Sequence, residues 1–299
     1  MNPHDSRDWQ DAVLDEVFMG IAASEDLVEI LIFKGARILA RHLPEAARKS
    51  LDIDANCSQD FLANYPDRQA QAGTLQGLLS AAIRRQFESG SPVRYQLEDL
   101  RVDPKPPKDH PRGWNAFEVR MRVADMSRAS QRGIPNLGID IAHPEALTAN
   151  STTTIRIDGH GIRAYTLHRI AGEKVRAFLS SLPEYQAKTV RSGGIIRAKD
   201  IYDLARILRN RPLADSEFWR NAATECRVAC ESRFVDCAGW QSFSPHEAAT
   251  RVIYEREPTI PKDVAFDEAW RSLREIVEQF ARLGIFPIRL DMPPIATTN

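Results

Sequence analysis

The segment Lys34-Gly35, followed by Arg48-Lys49-Ser50-Leu51-Asp52-Ile53-Asp54, constrains the fold of this 299-residue chain more than any other. A strand turns residues i and i+2 to one face, so Asp52 and Asp54 reach a common point from backbone positions roughly 6 to 7 Å apart. Carboxylates are hard oxygen ligands that suit Mg²⁺, and two such ions about 4 Å apart clamp the attacking and leaving oxygens of a phosphoryl transfer. Order strengthens the pattern: an apolar strand from Val28 to Phe33, the Lys34-Gly35 turn, a helix-compatible stretch from Ala36 to Leu43, then the short strand bearing both aspartates. Singly, each piece is ordinary, because Asp-x-Asp is common at solvated strand edges and turns. In sequence they read as strand, phosphate loop, helix and metal strand, which points to nucleotidyl transfer.

Bulk properties exclude more than they identify. The length permits one large domain or two lobes with real cores. Apolar runs are too short to cross a bilayer and the amino terminus is polar and acidic, so no membrane partner and a cytoplasmic location are expected. A net charge of −1 argues against a general nucleic-acid coat, although averages hide patches. Arginine outnumbers lysine 32 to 8, which suits phosphate recognition and equally follows from a GC-rich genome. Between Lys188 and Arg211 the basic residues are Lys188, Arg191, Arg197, Lys199, Arg206, Arg209 and Arg211, against Asp200 and Asp203. That excess predicts a basic surface for triphosphate or an RNA backbone, or else a solvated helix face. Cys57 stands alone, and Cys226, Cys230 and Cys237 contain no Cys-x-x-Cys pair, as in a reducing compartment. With His246 these three match no common zinc spacing, and buried core cysteines are the simpler reading.

Periodicity divides the chain in two. Up to residue 165 it predicts helices over Trp9–Ala23 and Ala70–Phe87, a hairpin of Arg94–Val102 and Ala116–Val123 with a loop over Pro104–Gly113, and strands Leu137–Ile141 and Thr152–Ile157. From 166 to 299 it is helical: Leu167–Leu182, a helix opened by Asp200 and Asp203, Ala214–Phe234, a connector with Pro258 and Pro261, and Phe266–Leu283. Trp270, Leu273, Ile276, Val277 and Phe280 form one face of that last helix, expected to close over the cleft or pack on earlier helices. The tail from Pro293 is expected to be disordered. The fold class is α+β, a mixed sheet flanked by helices and followed by a mainly helical lobe.

The run Phe33-Lys34-Gly35, with Arg48, Ser50, Asp52 and Asp54, resembles the amino-terminal signature of AbiEii/AbiGii-type toxins, members of the DNA polymerase beta-like nucleotidyltransferases. Glu173-Lys174 and Arg197-Ala198-Lys199-Asp200-Ile201-Tyr202-Asp203-Leu204 resemble later segments of that family. The blocks span roughly residues 27 to 208 and leave the last third uncovered. The resemblance implies a polymerase beta-like core over 1–165 and a helical lobe over 166–299 that contributes Lys174 and Asp200 to the cleft. It implies Mg²⁺, or Mn²⁺, on Asp52 and Asp54, and places Lys34, Gly35, Arg48 and Ser50 at the nucleotide, with Arg37 a candidate phosphate donor by its own chemistry. Such folds set a third carboxylate on a later strand, where it completes the metal shell and helps deprotonate the acceptor hydroxyl, and Asp140 fits that place as a third metal ligand; its rival Asp158, in Ile157-Asp158-Gly159-His160, is first a turn signal.

Other positions carry two readings. Family members usually follow the first glycine with Gly or Ser and then a small hydroxyl residue, whereas Ala36 and Arg37 stand here. Arg37 then either binds phosphate bidentately or is a solvated first-turn residue. Lys174 lies by the apolar stripe of its helix, so it snorkels or meets a buried anion, and the resemblance favours triphosphate. Acidic residues in a first turn favour the helix dipole by about 0.3 to 1 kcal/mol, enough to explain Asp200 and Asp203 without function. The resemblance implies that an aspartate of this segment acts in the site; Asp200, directly after Lys199, is taken for it, leaving Asp203 to pair with Arg206 or Arg197 and Tyr202 to packing. The implied activity moves a nucleoside monophosphate from a nucleoside triphosphate to an acceptor hydroxyl. The implied acceptor is the tRNA 3′ end, and the implied role is the toxin of a toxin-antitoxin or phage-defence pair with a cognate antitoxin. Protein nucleotidylation, or a degenerate nucleotide-binding partner protein, is the alternative.

Overall fold

The computed structural model describes residues 3–46, 48–65, 67–189 and 194–292. The tail from Pro293 and Arg191 lie outside the described residues.

Trp9, Val13, Val17 and Ile21 recur at helical spacing and are buried along α1 (Pro3–Ala22). The strand expected from Val28 to Phe33 is divided between α2 (Glu25–Ile30) and β1 (Leu31–Lys34). Ser24 takes the extended N-cap position, and Glu25 and Asp26 put negative charge in the first turn, where the helix dipole favours it. A short apolar run does not separate helix from strand by periodicity, so these end signals decide. Next come α3 (Gly35–His42), β2 (Asp52–Cys57), α4 (Gln59–Asn64) and α5 (Arg68–Glu88). The Asp67 carboxylate caps α5 by accepting from the Gln69 and Ala70 N–H groups.

Five more strands complete the sheet: β3 (Tyr95–Lys105), β4 (Ala116–Asp125), β5 (Leu137–Ala142), β6 (Thr152–Ile157) and β7 (His160–Tyr165). Their order is β3-β4-β5-β2-β1-β7-β6. β2–β5 and β1–β7 run parallel and the other neighbours antiparallel, giving the mixed sheet of an α+β fold. α5 packs on β3 and α1, and α1 reaches β2 and β7. In β2, Ile53, Ala55 and Cys57 are buried, whereas Asp52 and Asp54 alternate to the opposite face.

The remaining helices are α6 (Leu167–Ser180), α7 (Pro183–Lys188), α8 (Ala198–Asn210), α9 (Ser216–Arg233), α10 (Glu247–Arg256) and α11 (Phe266–Arg282). α6 crosses α9 at Gly172, where a Cβ would lie 2.5 Å from the Cys226 nitrogen and 2.6 Å from the Ala222 carbonyl oxygen. The expected face of α11 is buried, and this helix packs on α8 and α9. α10 occupies part of the expected connector; only Thr250 and Tyr254 of it are buried, too thin a stripe to read from periodicity. Cys226, Cys230 and Cys237 are free and buried, and burial pushes the Cys237 thiol up to about 12. Among the described residues no helix is long and apolar enough to cross a membrane.

Candidate active site

Strand register assembles the acidic centre. Lys34 of β1 faces Asp54 of β2 in antiparallel register, and Asp54 faces Asp140 of β5 in parallel register. Directly opposed residues share a face, and Asp52 shares it by its i, i+2 spacing. Ligand oxygens of Asp52, Asp54 and Asp140 all lie within 4.8 Å of one another. Ser50 donates to the Asp52 carboxylate at 2.9 Å and to the Asp52 carbonyl at 3.1 Å, so its hydroxyl orients this carboxylate. Asp158 is far from this group: it forms the tight turn of the β6–β7 hairpin with φ of 46°.

Gly35 is required here for two separate reasons. Its φ is +78°, and a Cβ at this position would lie 2.0 Å from the Asp54 Oδ2. The Lys34-Gly35 turn therefore makes room for a carboxylate as α3 begins.

The three carboxylates crowd one another. Burial pushes Asp54 up to about 7, with the Asp52 and Asp140 charges adding to it and Lys34 and Arg197 opposing it. Asp140 is raised in the same way by burial, Asp52 and Glu118. A divalent cation would relieve this repulsion, and three oxygen donors fit a hard ion such as Mg²⁺ or Mn²⁺.

Beside the acids lies a cleft of ≈230 Å³, walled by Lys34, Gly35, Asp54, Glu145, Glu173, Lys174, Arg176, Arg197 and Asp200, with Ile170 and Ala177 as its apolar part. Its volume is below the roughly 300 to 1,000 Å³ of pockets that enclose a whole ligand, so it suits the phosphate end of a nucleotide. Lys34 Nζ lies 3.3 Å from Glu145 and 3.6 Å from Glu173. Lys174 is buried with Nζ 3.1 Å from Asp200 and 2.6 Å from Asp203. Burial pulls its ammonium down, but Asp203 and Asp200 outweigh burial and hold it above its usual range. Asp200 is buried, which raises its carboxyl, yet Arg197 and Lys174 hold it well below the usual range. Arg197 lines the same cleft and donates through Nε to Asp200 at 2.6 Å, with its side chain 60% exposed.

A model of the family described as nucleotidyl transferase AbiEii toxin, type IV TA system, matches residues 20–283. The chain belongs to that family. No curated protein matches it. Among solved structures it is similar to an H. pylori protein described as a nucleotidyltransferase, with 15% identity, a TM-score of 0.53, and coverage of 92% of this chain and 95% of that one. JHP933 from Helicobacter pylori is similar at 14% identity and a TM-score of 0.53, covering 93% of each chain. At these identities the likeness shows a shared fold.

Within this AbiEii-family fold, several residues expected at the nucleotide make contacts that brace the chain. Arg37 bonds Asp11, Asp15 and, at 2.9 Å, the Ser50 carbonyl, tying α3 to α1 and to the approach to β2. Arg48 grips Asp203 with Nε at 3.1 Å and Nη2 at 3.1 Å, so Asp203 bridges Arg48 and Lys174 and not Arg206 or Arg197. Neither Arg37 nor Arg48 lines the cleft. The expected basic surface is also neutralised among the described residues. Lys188 pairs with Asp236, Lys199 with Glu257, Arg206 with Asp263, Arg209 with Glu268 and Arg211 with Asp215. Four of those five acids come from beyond residue 230, which a local count cannot see. Conversely, Glu145, Glu173, Arg176 and Arg197 line the cleft without having been singled out as site residues. Glu173 and Arg197 at least lie inside the family-like segments, whereas Glu145 follows β5 in a stretch with no pattern.

Proposed function

We propose that this AbiEii-family chain transfers a nucleoside monophosphate from a nucleoside triphosphate to an acceptor hydroxyl, with the tRNA 3′ end as acceptor. The observation that supports it is the Asp52, Asp54 and Asp140 cluster beside a cleft whose wall carries Lys34, Lys174, Arg176 and Arg197, each paired with an acid. When bound, a divalent ion supplies charge neutralisation and orientation to the reacting phosphate. Asp52 and Asp54 hold it; Lys34, the Gly35 backbone, Lys174 and Arg197 receive the triphosphate; Asp200 keeps Lys174 and Arg197 in place. The acceptor oxygen forms a bond to the alpha phosphorus as the bond to the bridging oxygen breaks, pyrophosphate leaves, and Asp140 takes the hydroxyl proton. Such catalysis rests on positioning and electrostatics. Residues 1–165 act as the catalytic core and 166–299 as the lobe that brings Lys174 and Asp200. The biological setting is the toxin of a type IV pair, opposed by its antitoxin.

The test incubates the protein with each alpha-labelled nucleoside triphosphate, Mg²⁺, and total bacterial RNA plus lysate, beside an Asp52→Ala/Asp54→Ala control. Label on tRNA-sized RNA that disappears in the control is the expected result. Label on protein instead would replace the acceptor, and no label with folded protein would overturn transfer.

A further inference from the structure

Glu145 is a buried acid surrounded by cations. Lys34 Nζ lies 3.3 Å from its Oε1, Arg233 Nη2 lies 3.2 Å from the same oxygen, Arg169 Nη2 lies 3.6 Å from Oε2, and the Tyr165 hydroxyl donates to Oε2 at 3.0 Å. Each arginine is anchored independently of Lys34. Arg169 donates to buried Glu225 at 2.8 Å, and Glu225 in turn accepts from Thr148 and Ser151. The Arg233 guanidinium lies 5.5 Å from the Trp114 ring, and its carbonyl accepts from the Tyr185 hydroxyl at 2.7 Å.

We propose that Glu145 is a positioning residue that holds Lys34 ready for the triphosphate and then releases it. This rests on the reading of Lys34 as a triphosphate ligand. The β1–β2 register fixes the Lys34 backbone opposite Asp54, so only the side chain chooses its partner. An acid whose one cation departed would be left as an uncompensated buried charge, and Lys34 would then stay bound. Arg169 and Arg233 remain on Glu145 after Lys34 turns, and Arg176 at 3.0 Å remains on Glu173, the second carboxylate near Lys34, so the exchange of carboxylate for phosphate leaves no buried charge unpaired. The clamp draws on β7, α6 and α9, which makes the aim of a lysine on the sheet depend on the helical part of the chain.

The test uses two readouts on the full chain: calorimetric binding of inorganic triphosphate with Mg²⁺, and the labelling rate. Glu145→Gln removes the competing charge and the aim together. Triphosphate is expected to bind about 3- to 10-fold tighter while turnover falls about 10- to 100-fold. Lost structure would weaken both. In a Lys34→Ala background both effects are expected to vanish, because the interaction they report is gone. Arg233→Met, a milder change, is expected to bind triphosphate about 3-fold more weakly, since Glu145 then keeps Lys34 more firmly. Unchanged or weaker binding in Glu145→Gln, or equal effects in the Lys34→Ala background, would overturn the proposal. If Glu145→Gln fails to fold, Arg233→Met in both backgrounds decides. A wild-type protein that binds triphosphate yet labels nothing removes the transfer reading and leaves the clamp to be judged on binding alone.

Discussion

Lys34 and Asp54 are opposed partners in the β1–β2 ladder, and β5 sets Asp140 opposite Asp54 on the other side. The three form a cation–carboxylate–carboxylate row across neighbouring strands. Slipping β2 by one residue would drive both its aspartates into the core face, so the buried Ile53, Ala55 and Cys57 lock the site's register as well as the fold.

Asp54→Asn should separate stability from activity. With no metal present, Asp54 titrates at about 7, so above that pH the fold holds a charge it disfavours. The raised value means stability is lost as pH rises through 7, and the amide escapes this. At pH 8 without divalent ions the variant is expected to be about 1 to 2 kcal/mol more stable. Its transfer rate is expected to be about a hundredfold lower or less still. Calorimetric melting and the labelling assay check the two halves, and a folded variant with full activity would sink the carboxylate mechanism.

Gly35→Ala combines a left-handed backbone with a Cβ 2.0 Å from the Asp54 oxygen. The strain alone costs about 1 to 3 kcal/mol. Relief requires Asp54 to move, so the labelling rate is expected to fall at least about tenfold even where the protein remains folded. Equal rates for variant and wild type would show that Asp54 need not hold this place.

Arg37→Ala should behave as a stability variant. Its partners are Asp11, Asp15 and the Ser50 carbonyl, and Asp15 is part-exposed, so the loss is expected to be about 1 to 3 kcal/mol in urea unfolding. The KM for nucleotide should stay within about twofold of wild type. A large rise in KM with unchanged stability would restore Arg37 to the phosphate.

Acid should weaken the cleft wall. Burial pushes Asp200 and Glu145 up, but their cations outweigh it and hold both well below the usual carboxylate range. A depressed folded value gives stability that is complete above the unfolded pKa of about 4 and lost as pH falls toward the folded value. Urea midpoints measured from pH 7 downward should therefore drop steeply below about pH 4. Asp200→Asn should start lower at pH 7 and decline less, and an identical slope would contradict the linkage.

The Arg206 and Arg209 ion pairs with Asp263 and Glu268 predict little role in RNA capture. Arg206→Ala and Arg209→Ala are each expected to cost about 1 kcal/mol or less and to leave the salt dependence of RNA labelling unchanged. A shallower slope in either variant would return this helix to the nucleic-acid surface.

Sequence alone determined what depends on near neighbours: the shared face of Asp52 and Asp54, the apolar face of α11, and the turn at Asp158-Gly159. These follow from strand and helix periods and backbone freedom, which act over a few residues. Even there, the division of the apolar run between α2 and β1 is not revealed by its periodicity. Only tertiary structure decided that Asp140 joins the pair, through a parallel β2–β5 contact between segments more than 80 residues apart. It also decided that Arg37 and Arg48 brace helices, that distant acids neutralise the basic stretch, and that Glu145 reaches Lys34. The reason is physical: a charge acts on whatever lies within a few ångströms, and chain separation says nothing about that distance until the core has packed.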